Sequence, residues 1–251
     1  MIDANEIRTH AADWGTAEAQ IRKDHLISHL LNSLEGLKGF VFFGGTALNR
    51  TVLASERLSE DIDLYLDPNA PADIDAVLDA LRTGTSSEFP DLRISREGVR
   101  GDVETFSITT EDLVVQLQVV EPRHELGRYE TEVGDVALRY SDLPETVPLR
   151  VPTADTFVAM KCVAFEDRQV PRDLHDLGSL ALAGAIRPSS VEALHTFRGF
   201  GPVQALYAWD RSPTPEVWRT ELAHQLRDPG SPDEALGAVR KALAQVSGWK
   251  D

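Results

Sequence analysis

The chain has 251 residues, of which 42% are hydrophobic and 26% charged, and its formal net charge is −16. This length allows one large domain or two smaller ones, and the single cysteine, Cys162, excludes an intrachain disulfide and a cysteine-cluster zinc site. With no signal peptide and no apolar run near the roughly 20 residues of a membrane span, we expect a cytoplasmic protein without a membrane partner.

The first part of the chain alternates helix-like and strand-like patterns. An amphipathic helix is predicted over residues 17–37, where apolar residues recur at helical spacing. The run Phe40–Phe43 predicts a strand that ends in a Gly-Gly turn, followed by a helix over residues 46–54. Further patterns predict a strand at 61–66, a helix at 72–81, a loop at 84–88, strands at 92–95, 103–108 and 113–120 with a hairpin turn at 109–112, an edge strand at 133–140 and a linker at 141–150.

From residue 153 onward the patterns are helical. Thr153 or Asp155 can cap a first helix, and Pro171 opens a second. Three more helices are predicted at 189–198, 214–227 and 233–247. We therefore predict an α+β protein with a mixed-sheet lobe over residues 1–150 and an all-helical lobe over residues 151–251.

Two carboxylates stand close together at the start of the predicted strand 61–66. Asp61 and Asp63 are two residues apart, so their side chains share one face of the strand while Ile62 and Leu64 point to the core. Neighbouring carboxylates repel each other unless a cation lies between them, and their oxygens suit Mg²⁺ or Mn²⁺. The pair predicts a divalent metal site, although exposed acids at a strand edge would give the same pattern.

Gly44, Gly45 and Thr46 form the turn that follows the Phe40 strand. Glycine lets backbone N–H groups approach a phosphate closely, and a helix N-terminus adds positive potential. The spacing fits neither the Walker P-loop nor the dinucleotide-binding fingerprint. We interpret the turn and the two carboxylates as a site for a metal-bound nucleotide, with the Thr46 hydroxyl assisting, and a plain tight turn is the alternative.

The order of strand, Gly-Gly turn, helix and D-x-D strand resembles the polymerase-β-like nucleotidyltransferases. The longer strings at 44–48 and 57–64 are similar to the AbiEii/AbiGii toxin branch, which includes the mycobacterial MenT toxins. A further signature of that branch is a Lys followed by Arg-Asp-x-x-Asp, which Lys161 and the run 172–176 match.

The resemblance implies an enzyme that uses Mg²⁺ to transfer NMP from an NTP to an acceptor hydroxyl, with the helical lobe completing the cleft. Asp61 and Asp63 would hold the metal, Lys161 would contact the phosphates, and Asp176 would act as general base or orient Lys161. The supporting candidates are Arg57, Ser59, Arg172 and Asp173. The acceptor would be a tRNA 3′ end, and the protein would be the toxin of a type IV toxin–antitoxin system whose antitoxin is encoded separately.

One departure from the family pattern and one alternative leave parts of this interpretation open. Members of the wider superfamily often carry a third acid on a later strand, but that strand offers Gln116 and Gln118, which leaves Glu104 on the preceding strand as a substitute. Without a third acid, activation of the acceptor shifts to Asp176. The alternative is that Lys161, Arg172 and Asp176 form only surface salt bridges between neighbouring helices.

The charge is uneven and gives some weight to a different acceptor. Residues 151–251 hold 11 Lys and Arg against 13 Asp and Glu, so by subtraction from the chain's 25 and 41, residues 1–150 hold 14 against 28. Such an acidic half is a poor general surface for nucleic acid. One alternative is therefore a nucleotidyltransferase for a cationic, aminoglycoside-like molecule, and another is a non-catalytic nucleotide-binding protein. The seven His are interpreted as scattered along the chain, without H-E-x-x-H or similar spacing, which argues against zinc.

Overall fold

The computed structural model describes residues 2–53, 57–122, 128–198 and 212–247. Its helices are α1 (Ala4–Trp14), α2 (Glu18–Asn32), α3 (Gly44–Leu48), α4 (Ile74–Thr85), α5 (Ala154–Arg168), α6 (Pro171–Leu182), α7 (Pro188–Arg198), α8 (Pro215–Leu222) and α9 (Pro232–Ser247). Its strands are β1 (Phe40–Phe43), β2 (Asp61–Leu66), β3 (Arg93–Arg100), β4 (Val103–Thr109), β5 (Val114–Val120), β6 (Thr131–Ala137) and β7 (Thr146–Pro152). Among the described helices, none has the length and apolarity that crossing a membrane requires.

The chain divides into two compact units. The first consists of residues 1–127 and 131–151, and the second of residues 128–130 and 152–251. All seven described strands begin in the first unit, whereas α5 to α9 belong to the second. The α+β class predicted from the sequence is thereby confirmed.

Five strands of the first unit form a mixed sheet in the order β1-β2-β5-β4-β3. Strand β2 runs parallel to β5, and the other neighbouring pairs are antiparallel. One face of this sheet is apolar, because Ile62, Leu64, Phe106 and Leu117 are buried there, and α2 and α4 pack together and contact β5 and β3. The other face carries the residues of opposite parity, among them both carboxylates of β2.

Helix α1 is not predicted from the sequence. Its signal is weak, since only Ile7 is fully buried, in a small cluster with Ile21, Leu58 and Tyr140. A start signal is nevertheless present: the side chain of Asp3 accepts a hydrogen bond from the Asn5 N–H, and Glu follows Asp3 after three residues.

The predicted linker at 141–150 is wrong in its second half. Val147, Leu149 and Val151 are buried while the residues between them are exposed, which is the alternation of β7. Pro148 suggested a break, but it lies at an exposed position of a two-stranded sheet with β6, where proline is tolerated.

The bounds of several other elements also differ from the prediction. The predicted loop at 84–88 is wrong only at its start, because α4 continues through Gly84 to Thr85 and residues 86–88 form a turn. Strand β3 continues past Ser95 to Arg100, with an irregularity between Arg96 and Gly98. The helix after the Gly-Gly turn is shorter than predicted: α3 ends at Leu48, and the predicted end at residue 54 lies outside the described residues.

A buried charged cluster connects α2 with Arg50 and with the segment that follows β6. Asp24 on α2 pairs with Arg50 at 2.7 Å and with Arg139 at 3.1 Å, and the Tyr140 hydroxyl donates to it at 2.9 Å. Burial alone would raise the pKa of Asp24, but Arg50 and Arg139 hold it below the usual value. Burial also lowers the pKa of Arg50 to about 10, so its guanidinium remains charged at neutral pH.

The second unit is helical, as predicted. Thr153 caps α5 by accepting from the Thr156 N–H, and Pro171 occupies the first turn of α6. Helix α6 contacts α5, α8 and α9, and α7 contacts α5 and α9. The ring of Trp218 on α8 is fully buried, and its N–H donates to the carbonyls of Pro229 and Gly230.

Candidate active site

The two carboxylates of β2 lie as the sequence predicts. Ile62 and Leu64 are fully buried, whereas Asp61 and Asp63 are partly exposed on the opposite face. In the parallel pairing with β5, Asp61 is opposite Gln116 and Asp63 is opposite Gln118. This face therefore presents two acidic side chains and two amides side by side.

The Gly-Gly turn lies directly against one of these carboxylates. Gly44 has a φ of 79°, a left-handed conformation that favours glycine. A Cβ atom at Gly44 would collide with the carboxylate of Asp63. Glycine is thus required here both for its backbone conformation and for the close approach of the turn to Asp63.

Arg57 and Ser59 are placed beside the same turn. A Cβ atom at Gly45 would lie 2.9 Å from the Arg57 guanidinium and 3.2 Å from the Ser59 hydroxyl oxygen. The Arg57 side chain is buried and donates to the carbonyl of Leu58 at 3.2 Å. These two supporting candidates therefore pack on the turn rather than standing in solvent.

Thr46 fastens the turn to β2. Its side chain is buried, and its hydroxyl donates to the backbone carbonyl of Asp61. A hydroxyl has one proton to donate, so this bond uses the donor that was expected to assist a phosphate. Phosphate binding by the turn stays a prediction for the backbone N–H groups of Gly44, Gly45 and Thr46.

The third acid is not supplied by Glu104. That residue pairs with Val119 of β5, so it lies on the core-facing side of the sheet, opposite to Asp61 and Asp63. It forms a salt bridge with Arg96 instead. On the correct face, Gln116 accepts a hydrogen bond of 3.0 Å from the amide of Gln118, so the neighbouring strand supplies amides there.

The second group of predicted residues lies between α5 and α6. Nζ of Lys161 is 3.0 Å from Oδ1 of Asp173 and 2.6 Å from Oδ2 of Asp176. Asp173 and Asp176 share a face of α6 because they are three residues apart. Arg168 also binds Asp173 through two hydrogen bonds, of 2.6 Å and 2.9 Å.

These ion pairs are not the surface salt bridges considered as an alternative. The Lys161 side chain is 8% exposed, and those of Asp173 and Asp176 are 1% and 0% exposed. Burial alone would raise the pKa of Asp173, but Lys161 and Arg168 hold it below the usual value. Arg172, the remaining supporting candidate, is partly exposed on α6.

The structure also brings together residues that the sequence analysis dismissed. His25 and His29 on α2 approach Asp142, and their potential ligand atoms lie within 4.8 Å of one another. The expectation that the histidines are scattered is therefore wrong for this pair. Their spacing of four residues on one helix was a signal, but Asp142, far along the chain, could not be linked to them by spacing.

The chain is similar to known proteins in its family match and in its fold. The family model described as "Nucleotidyl transferase AbiEii toxin, Type IV TA system" matches residues 26–242. Among solved structures, the chain is similar to MenT4, a nucleotidyltransferase toxin from Mycobacterium tuberculosis H37Rv, with 18% identity and a TM-score of 0.67. That match covers 100% of this chain and 91% of the other, so the two share a fold. A search of curated proteins found no match.

Proposed function

The chain belongs to the AbiEii family of nucleotidyltransferase toxins of type IV toxin–antitoxin systems, and from this premise we propose that it transfers NMP from an NTP to the 3′ end of a tRNA. Membership implies a nucleotide substrate and an antitoxin partner. The observation that carries the proposal is the pair of partly exposed carboxylates, Asp61 and Asp63, beside the Gly-Gly turn.

Asp61 and Asp63 would hold Mg²⁺, or Mn²⁺ in its place. The donor set fits, because these cations take carboxylate oxygens and both side chains are on the same sheet face. When bound, the ion offsets the negative charge of the triphosphate. The turn at Gly44 lies against Asp63, so it would offer its backbone N–H groups to the phosphates of the metal-bound nucleotide.

Lys161 would serve the same reaction by offsetting the charge of the leaving pyrophosphate. Its contacts support a positioning role for the carboxylates around it: Asp176 at 2.6 Å and Asp173 at 3.0 Å fix the ammonium group in one place. Since the ammonium already binds Asp176, we assign Asp176 the orientation of Lys161 rather than proton abstraction from the acceptor.

The strong acidity of the first 150 residues bears on the choice of acceptor. A tRNA therefore requires local basic contacts that overcome this charge. An aminoglycoside, being cationic, would be attracted by it, so this second acceptor is included in the test.

The test incubates the full chain with total RNA, or with an aminoglycoside, and each α-³²P-labelled NTP, with and without Mg²⁺. We expect Mg²⁺-dependent labelling of the tRNA band and growth arrest on expression. Asp63→Asn should abolish labelling, while Asp135→Asn, the same change at an exposed position of β6, should not. If only the aminoglycoside is labelled, the acceptor is an aminoglycoside and not a tRNA. Undiminished activity of Asp63→Asn would refute the assignment of Asp63 as a metal ligand.

A further inference from the structure

We propose that His25, His29 and Asp142 form a binding site for a divalent metal ion, and that this ion is Zn²⁺. His25 and His29 lie one helical turn apart on α2, so both rings project from the same face. Asp142 reaches them from the segment between β6 and β7, 117 residues from His25 along the chain. All three belong to the first unit.

The three side chains converge on one point. Nε2 of His25 lies 3.1 Å from Nε2 of His29 and 3.1 Å from each carboxylate oxygen of Asp142. Nε2 of His29 lies 3.3 Å from Oδ2 of Asp142. Atoms that bind zinc tetrahedrally at about 2.0–2.1 Å stand about 3.3 Å apart. The observed triangle therefore matches one face of a zinc coordination tetrahedron.

No placement of protons on the two rings makes all three of these close contacts hydrogen bonds. Each Nε2 carries at most one proton, and a protonated ring nitrogen cannot also accept a hydrogen bond. If both histidines donate to Asp142, their two N–H groups face each other at 3.1 Å. If His29 instead accepts from His25, it no longer donates to Asp142. A cation at the centre would use both nitrogen lone pairs and the carboxylate charge together.

The rings are held in place by packing before any metal binds. The ring of Phe89 lies 5.8 Å from that of His25 and 5.5 Å from that of His29, and the ring of Tyr140 lies 4.9 Å from that of His25. Such support lowers the entropy lost on binding. His29 and Asp142 are partly exposed, so a water molecule would supply the fourth ligand from the solvent side.

The ligand set separates this site from the carboxylate pair of β2. Two imidazoles and one carboxylate suit Zn²⁺, whereas Mg²⁺ prefers oxygen ligands throughout. The side chain of His25 is 4% exposed, and those of His29 and Asp142 are 12% and 16% exposed. The metal would therefore sit near the surface and link α2 to the segment before β7.

The test uses the full, metal-free chain carrying Asp63→Ala, so that the β2 carboxylates do not contribute. Zn²⁺ binding is measured by calorimetry, and Co²⁺ is added as a spectroscopic probe whose visible absorption reports tetrahedral coordination. We expect one Zn²⁺ per chain and a tetrahedral Co²⁺ spectrum. His29→Gln and Asp142→Asn should each weaken Zn²⁺ binding at least about tenfold, whereas His195→Gln, on an exposed position of α7, should not.

Folding of the variants is followed by circular dichroism in the same samples. Asp142→Asn is the second variant because it leaves the sequence of α2 unchanged. Zn²⁺ should raise the melting temperature of the parent and of His195→Gln, and the rise should be smaller for the two ligand variants. Absence of stoichiometric Zn²⁺ binding by the folded parent, or equal binding by folded Asp142→Asn, would overturn the proposal.

Discussion

Nζ of Lys161 lies 2.6 Å from Oδ2 of Asp176, and both side chains are at least nine-tenths buried. Asp173 contacts the same ammonium group at 3.0 Å and is buried as well. Charges removed from water are costly unless they are paired, so each member of this cluster depends on the others. The cluster therefore links the stability of the helical unit to the geometry of a predicted catalytic residue.

Replacing Lys161 should affect stability and activity separately. Lys161→Met leaves the Asp176 carboxylate buried without its ammonium partner, and we expect the free energy of unfolding to fall by about 3–5 kcal/mol. Adding Asp176→Leu removes that charge and should restore part of the stability. Nucleotidyl transfer should be absent from the single and the double variant, because both lack Lys161. Urea denaturation and the labelling assay measure the two effects.

The matched control for this prediction is Lys241→Met, which makes the same change at an exposed position of α9. It should leave both unfolding and transfer unchanged within error. Transfer that returns in Lys161→Met/Asp176→Leu would show that Lys161 acts only as a structural partner of Asp176.

Gly44→Ala tests the contact between the turn and Asp63. The new methyl group would collide with the Asp63 carboxylate, and alanine is strained at a φ of 79°. We expect a loss of about 1–2 kcal/mol in stability from the left-handed backbone and a fall in transfer of more than about tenfold from displacement of Asp63.

The variant Gly36→Ala separates the effect of the left-handed backbone from the effect of the contact with Asp63. Gly36 has a φ of 75°, but a Cβ atom there meets nothing within 4 Å. It should therefore reproduce the loss of stability and leave transfer unchanged. Equal loss of transfer in both variants would mean that the close approach to Asp63 has no part in the reaction.

Local patterns were sufficient to predict which side chains of β2 are buried and where the first helices of the second unit begin. Alternation assigned Ile62 and Leu64 to the core and left Asp61 on the polar face, because a strand's period of two depends only on neighbouring residues. Capping by Thr153 was likewise visible, since the cap and its partner are three residues apart.

Tertiary contacts explain what the sequence did not show. Helix α1 buries little of its own surface, and its burial depends on Tyr140, far along the chain. Glu104 was kept as a third acid because spacing alone does not reveal which residue of β5 it faces, whereas the register opposite Val119 decides it. The contact between Asp142 and His25 also depends on the tertiary fold, because the two residues are 117 positions apart.

Cys162 should be chemically inert in the folded protein. Burial raises the pKa of its thiol to about 12, so at pH 8 the reactive thiolate is about 10⁻⁴ of the total. A disulfide exchange reagent should therefore react with no thiol in the native protein and with one thiol per chain after unfolding in urea. Rapid native reaction of one equivalent would show that α5 does not bury this residue.

Asp173 should contribute a pH-dependent part of the stability. Its folded pKa is held below the unfolded value of about 3.9, since Lys161 and Arg168 outweigh the effect of burial. A carboxyl group with a lowered folded pKa stabilises the protein above the unfolded pKa, and this contribution is lost as the pH falls towards the folded pKa. The free energy of unfolding should therefore decrease more steeply between pH 5 and pH 3 in the native chain than in Asp173→Asn, by urea denaturation at each pH. Parallel curves for the two proteins would contradict the ion pairing of Asp173 with Lys161 and Arg168.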